Sequence, residues 1–142
     1  MADRTAEVTW QGSLLEGSGT IERVGSGAFG PLDVTWASRT EESGGRTSPE
    51  ELIAAAHASC FSMALSSELA KAGNPPERLQ TSATVTFVPG TGITKSALRV
   101  RATVPGMDEA GFIQHADTAK QNCPVSKALA ALPEITLDAA LA

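Results

Sequence analysis

Cysteine is scarce: the 142 residues include two, Cys60 and Cys123, with 62 others between them. Two cysteines exclude a disulfide-dense secreted scaffold and an all-cysteine zinc site. They leave room for one redox pair. Positive charge is also short, with 11 Lys and Arg against 16 Asp and Glu, a net charge of −5. That balance argues against a nucleic-acid backbone or an anionic membrane as the main partner. The start, Met1-Ala2-Asp3-Arg4-Thr5-Ala6-Glu7, has no basic region followed by an apolar core, so no signal peptide is expected. The longest apolar stretch, 52–65, contains His57, Ser59, Cys60 and Ser62 and is too short and polar to span a bilayer. Repeats and linkers are absent, and one domain over 1–142 is expected. The expected location is the cytoplasm. In that reducing setting two distant cysteines are more often catalytic, redox-sensing or inert than a permanent crosslink.

What is present suffices for a core, since apolar residues make up 42 % and 13 glycines raise this to about half. Alternating polarity at 7–10 and 20–24, around Gly12-Ser13 and 16–19, predicts a hairpin. Val34-Thr35-Trp36 reads as a third short strand, and 40–47 as a polar loop. Two long alternating runs, 81–88 and 93–104, flank Pro89-Gly90-Thr91-Gly92 and predict a second hairpin. Asp108 caps a helix running to Gln121, Pro124 opens a short helix over 125–132, and 135–137 reads as a last strand. Strands and helices in this order give an α+β fold.

The strongest helix signal begins at Ser48. Pro49 suits the first helical position, Glu51 completes an S-x-x-E capping box, and the pattern runs through Lys71 to Gly73, with Pro75 and Pro76 beyond. Leu52, Ile53, the alanines, Phe61, Met63 and Leu65 leave this helix almost no polar face. A helix apolar all round must be covered all round, which points to a dimer.

The chemical candidates are few. Cys60 lies about twelve residues into the long helix, too deep for that helix's own N-terminus to act on it. Taken alone it reads as a small core residue, unless a cation lowers its pKa. His57, one turn earlier, is either a base for Cys60 or, more often, a hydrogen-bonded core histidine. Cys123, just before Pro124, sits at a helix N-cap, where helix-end amides favour a negative sulfur. A metal set of His57, Cys60, Cys123 and His115 lacks any CxxC or HxxxH pair, and no metal or cofactor is expected. Gly25-Ser26-Gly27-Ala28-Phe29-Gly30 imitates a dinucleotide motif without the strand–helix context that motif needs, and no P-loop occurs.

Two segments change this weighting. Thr47-Ser48-Pro49-Glu50-Glu51-Leu52-Ile53-Ala54-Ala55-Ala56-His57-Ala58-Ser59-Cys60-Phe61-Ser62-Met63-Ala64-Leu65 resembles the central-helix motif of the OsmC/Ohr family of thiol peroxidases. Asn122-Cys123-Pro124-Val125-Ser126-Lys127-Ala128-Leu129 resembles that family's second cysteine motif. The resemblance runs the length of the chain, and His57 with Phe61-Ser62-Met63 is closer to the OsmC branch. It implies a fold of antiparallel sheets around a long central helix, in an intertwined homodimer. It implies Cys60 as the peroxidatic cysteine, Cys123 as the resolving one, Arg39 (in Trp36-Ala37-Ser38-Arg39-Thr40) as the catalytic arginine, and Glu50 as the glutamate that holds it. Arg46, beside Gly44-Gly45, is the fallback arginine.

The implied activity is reduction of organic hydroperoxides, and more slowly hydrogen peroxide, in oxidative or osmotic stress defence. Arg39 would lower the Cys60 pKa and bind peroxide oxygen, Cys60 would become a sulfenic acid, and Cys123 would condense with it. An external dithiol, such as a lipoyl-bearing protein, would reopen the disulfide. Glu50 and Cys60 are ten positions apart, ~15 Å along one helix, which favours sites composed across a dimer. The rival expectation is a redox-sensing or small-ligand-binding relative without fast turnover.

Overall fold

The computed structural model describes residues 1–142 and divides into two compact units, Met1–Leu52 and Ile53–Ala142. In the first, β1 (Ala6–Gln11), β2 (Ser18–Val24) and β3 (Leu32–Val34) form an antiparallel sheet in the order β1-β2-β3. Registers Val8↔Ile21, Ile21↔Leu32 and Gly19↔Val34 gather the apolar residues on one face, as strand alternation requires. Gly19 is needed there, because a Cβ would lie 2.6 Å from the Trp10 ring. The third strand lies earlier than the sequence predicts. Trp36 opens helix α1 (Trp36–Thr40) instead, because Thr35 and Ser38 form a reciprocal capping box that turns the chain helical.

Helix α2 (Pro49–Lys71) begins and ends where the sequence predicts. Ser48 Oγ accepts the Glu51 N–H at 3.1 Å, but the Glu51 carboxylate accepts from Thr47 Oγ1 rather than closing the capping box. At the other end Gly73 adopts φ +87°, the Asn74 N–H donates to Leu69 O and the Gly73 N–H to Ala70 O. These two bonds satisfy the last carbonyls of the helix in a Schellman motif.

The second unit is built on β4 (Arg78–Val88), β5 (Gly92–Thr103) and β6 (Glu134–Leu141). β4 and β5 form the predicted hairpin, while β6 pairs parallel to β5 and is longer than predicted. The crossover between them carries α3 (Glu109–Asn122), capped by Asp108 accepting from the Gly111 N–H, and α4 (Pro124–Ala128). α4 stops at Leu129, short of the predicted 125–132, where the chain goes into turns before β6. The core joins Phe61, Leu65 and Leu69 of α2 to Leu98, Val100 and Ala102 of β5 and Phe112, Ala116 and Ala119 of α3. His57, Phe61, Leu65 and Leu69, four residues apart along α2, are fully buried. At 23 residues α2 is long and apolar enough to cross a membrane by length and composition alone, beyond the shorter stretch seen in the sequence. This buried row makes it a core helix. It is not apolar-covered all round, however: Met63 is 72 % exposed. Together the units give the α+β architecture of two sheets and one long helix.

Candidate active site

Cys60 and Cys123 meet. Cys60, in the middle of α2, is partly buried against the core and meets the junction of α3 and α4, where Cys123 ends one helix and begins the next. Both are free thiols in hydrogen-bonding contact, Cys60 partly exposed and Cys123 fully buried. Burial pushes the Cys60 thiol above its ordinary value, the Val125 backbone N–H opposes this by bonding the sulfur, and contact with Cys123 raises it further. Cys123 stands at the N-cap of α4 as expected, but the expected hold of the helix-end amides on its sulfur is corrected. Its side chain makes no cap bond, and an amide at the start of α4 serves Cys60 instead. The amide that reaches Cys60 comes not from its own helix but from α4. Its signal was Cys123-Pro124: proline at the first turn of a helix leaves the next residue's N–H pointing outward.

His57 is a satisfied core histidine. Nδ1 lies 2.6 Å from Ser96 Oγ on β5, and Nε2 lies 2.8 Å from Ser126 Oγ on α4. All three are buried, and burial lowers the His57 pKa. A neutral imidazole has one donor and one acceptor, and the two hydroxyls complement either tautomer. With both nitrogens occupied, the alternative of His57 as a base for Cys60 lapses. Ser96 and Ser126 were missed in the sequence. Ser96 had a signal, being the one hydroxyl in the inward register Ser96-Leu98-Val100-Ala102.

In the first unit Arg39 and Glu50 form a fork. Arg39 Nη2 donates to Glu50 Oε1 at 2.7 Å, and Nε donates to Oε1 at 3.0 Å and Oε2 at 3.2 Å. The carboxylate is 8 % exposed and the guanidinium 27 %. The Trp36 ring lies beneath the guanidinium, 5.9 Å from ring centre to Cζ. A planar cation so held keeps its geometry. Arg46 is exposed, on a loop where Gly44 and Gly45 take positive φ, and is less suited to hold a fixed geometry. The predicted residues therefore assemble as two pairs, Cys60 with Cys123 and Arg39 with Glu50.

Comparison with known proteins identifies the family and the fold. Residues 42–138 match the profile of the family described as OsmC-like protein. The chain is 42 % identical over 138 residues to peroxiredoxin OsmC of Escherichia coli (strain K12), covering 95 % of this chain and 94 % of that protein. Among solved structures, an OsmC-like protein of unknown function from Vibrio cholerae superposes with a TM-score of 0.71 at 20 % identity, over 96 % of this chain and 99 % of that one. The organic hydroperoxide resistance protein OhrB of Bacillus subtilis does so with a TM-score of 0.67 at 22 % identity, over 97 % and 98 %. At those identities the structures speak for the fold. It is the predicted α+β one of two sheets and a long helix, except that the parallel β5–β6 pairing makes the second sheet mixed where antiparallel sheets were expected. The profile match over most of the chain and the 42 % identity to a peroxiredoxin over 95 % of it place the chain in the OsmC family of thiol-dependent peroxidases.

Proposed function

We propose that the protein reduces organic hydroperoxides, and more slowly hydrogen peroxide, through a Cys60–Cys123 cycle. The observation that carries this reading is the direct contact between two free thiols. The Cys60 thiolate attacks the terminal peroxide oxygen, the O–O bond breaks, and alkoxide leaves to be protonated as the alcohol. The resulting sulfenic acid condenses with the Cys123 thiol, forming the disulfide and releasing water. An external dithiol, a lipoyl-bearing protein being the preferred type, reduces the disulfide and is itself oxidised to a disulfide. Arg39, locked by Glu50, lowers the Cys60 pKa and binds peroxide oxygen as the bond breaks.

The working unit in this proposal is an intertwined homodimer acting as one domain over 1–142, in the cytoplasm, without nucleic-acid or membrane partners. Support for the dimer comes from an α2 face that stays exposed in the single chain, centred on Met63. Strand β1 is exposed along its whole length, Val8 and Trp10 included. The ~15 Å of helix rise from Glu50 to Cys60 favours an Arg39–Glu50 pair that serves the partner's thiol.

The raised Cys60 thiol favours the second reading, a redox sensor without fast turnover. Stopped-flow oxidation by cumene hydroperoxide separates the two. The peroxidase reading expects a rate far above that of a free thiol, with Cys60→Ser inactive and Cys123→Ser accumulating sulfenic acid. A free-thiol rate overturns it.

A further inference from the structure

Helix α4 has little of its own to hold it. Five residues make at most one complete turn, and so short a helix does not form without tertiary contacts. Its single buried side chain is Ser126. That hydroxyl lies 2.8 Å from His57 Nε2, while the other ring nitrogen lies 2.6 Å from Ser96 in the middle of the sheet. The three residues form a hydrogen-bonded chain from β5 through α2 to α4. No buried side-chain polar atom is left without a partner, and such a complete network is stiff. His57 and Cys60 stand one turn apart on the same side of α2. Ser126 directly follows Val125 and is three residues from Cys123, so any displacement of Ser126 displaces both.

We infer that His57 is a positioning residue: through Ser126 it holds the start of α4, with Cys123 and the Val125 N–H, against the Cys60 sulfur. The inference rests on Cys60 as the attacking and Cys123 as the resolving thiol. It explains why a core would keep three buried polar groups where apolar ones of similar size would pack as well. A latched α4 keeps the resolving thiol within reach, so that Cys60 sulfenic acid condenses with Cys123, losing water, before a second peroxide arrives. It also keeps one amide on the sulfur, favouring the thiolate.

Several ionisable groups lie on the elements packed here. Cys123 touches Cys60, and His57 is held neutral by burial. Glu68 bonds His115 eight residues along α2, and Lys127 lies on the exposed side of α4. Lys95, Arg99 and Arg101 of β5 are paired with Glu134 and Asp138 of β6. Asp117 and Lys120 of α3 pair with each other.

The test is peptide-resolved alkylation of the reduced, full-length protein by iodoacetamide across pH, which requires no peroxide chemistry. Ser126→Ala is expected to slow Cys60 labelling about three- to tenfold below the midpoint, equivalent to a midpoint rise of roughly half to one unit. Ser126→Thr, which keeps a hydroxyl, is expected to restore the wild-type profile. After one equivalent of cumene hydroperoxide, Ser126→Ala should also show longer-lived, dimedone-reactive sulfenic acid. Should Ser126→Ala not fold, His57→Gln replaces it, since its amide cannot span both serines and is expected to shift the profile the same way. A Ser126→Ala profile that overlays wild type overturns the inference, as does an equal shift in the alanine and threonine variants. If wild type forms no sulfenic acid while the alkylation shift appears, the peroxidase reading fails and the positioning role stands.

Discussion

The Arg39 guanidinium grips the Glu50 carboxylate through three hydrogen bonds of 2.7 to 3.2 Å, with the carboxylate almost entirely buried. Removing one partner of such a pair costs far more than removing both, because a lone buried charge is left behind.

Arg39→Ala is therefore expected to destabilise the protein by about 2–4 kcal/mol and to abolish peroxide reduction. The double variant Arg39→Leu/Glu50→Leu is expected to recover most of the stability and none of the activity. Urea unfolding paired with stopped-flow kinetics checks both. Arg39→Lys keeps the charge without the fork, and should lower the rate by about ten- to a hundredfold, since a 1–3 kcal/mol loss of charge-assisted hydrogen bonding is involved.

His57 carries a pH dependence whose sign follows from its burial. Its pKa in the folded chain lies below the ordinary value of about 6.5. The unfolded chain thus takes up the proton first. The stability due to neutral His57 is complete above about pH 6.5 and declines as the pH falls below it. Unfolding free energies of wild type and His57→Gln should converge on acidification, and parallel curves between pH 5 and 7 would contradict this (the window set by the unperturbed histidine, about 6.5).

Leu65 and Met63, two residues apart on α2, separate the core from the proposed dimer face. Leu65 is fully buried, and Leu65→Ala should cost about 2–5 kcal/mol, read from urea midpoints. Met63 is 72 % exposed in the single chain, so Met63→Glu should leave the fold intact. Sedimentation equilibrium should show it shifting the protein from dimer to monomer, with activity falling in parallel. A wild-type protein that is monomeric at micromolar concentration and fully active would remove the composite site.

Gly73 closes α2 at φ +87° with nothing near the position a Cβ would take. Gly73→Ala then meets only backbone strain, a loss of about 1–2 kcal/mol measured by thermal melting.

Legibility in the sequence followed the range over which each signal acts. The ends of α2 depend on residues within one turn, Ser48 and Pro49 at one end and Gly73 at the other, and both were readable. The second hairpin was equally local. Trp36 was misread because a β-favouring aromatic beside Val34 outweighed the Thr35–Ser38 cap. The length of β6 was missed because its pairing partner lies some forty residues back on β5. The cysteines and the Arg39–Glu50 pair were legible through the family motifs. Ser96 and Ser126 were not, since they meet His57 across separations of 39 and 69 residues. The amide donated to Cys60 by Val125 has one local signal, the proline that opens α4, but nothing local says which sulfur it reaches.

The parallel pairing of β5 with β6 fixes both ends of the crossover that carries Cys123. The thiol therefore approaches Cys60 on a tether anchored twice in one sheet, not on a free arm. In the proposed cycle the joined sulfurs would close a covalent ring that includes the β4–β5 hairpin and α3. A ring of that size removes about 4 kcal/mol of chain entropy from the unfolded state. Each turnover would then alternate a looser reduced unit with a clasped oxidised one, so resistance to unfolding would itself report how recently the protein met peroxide.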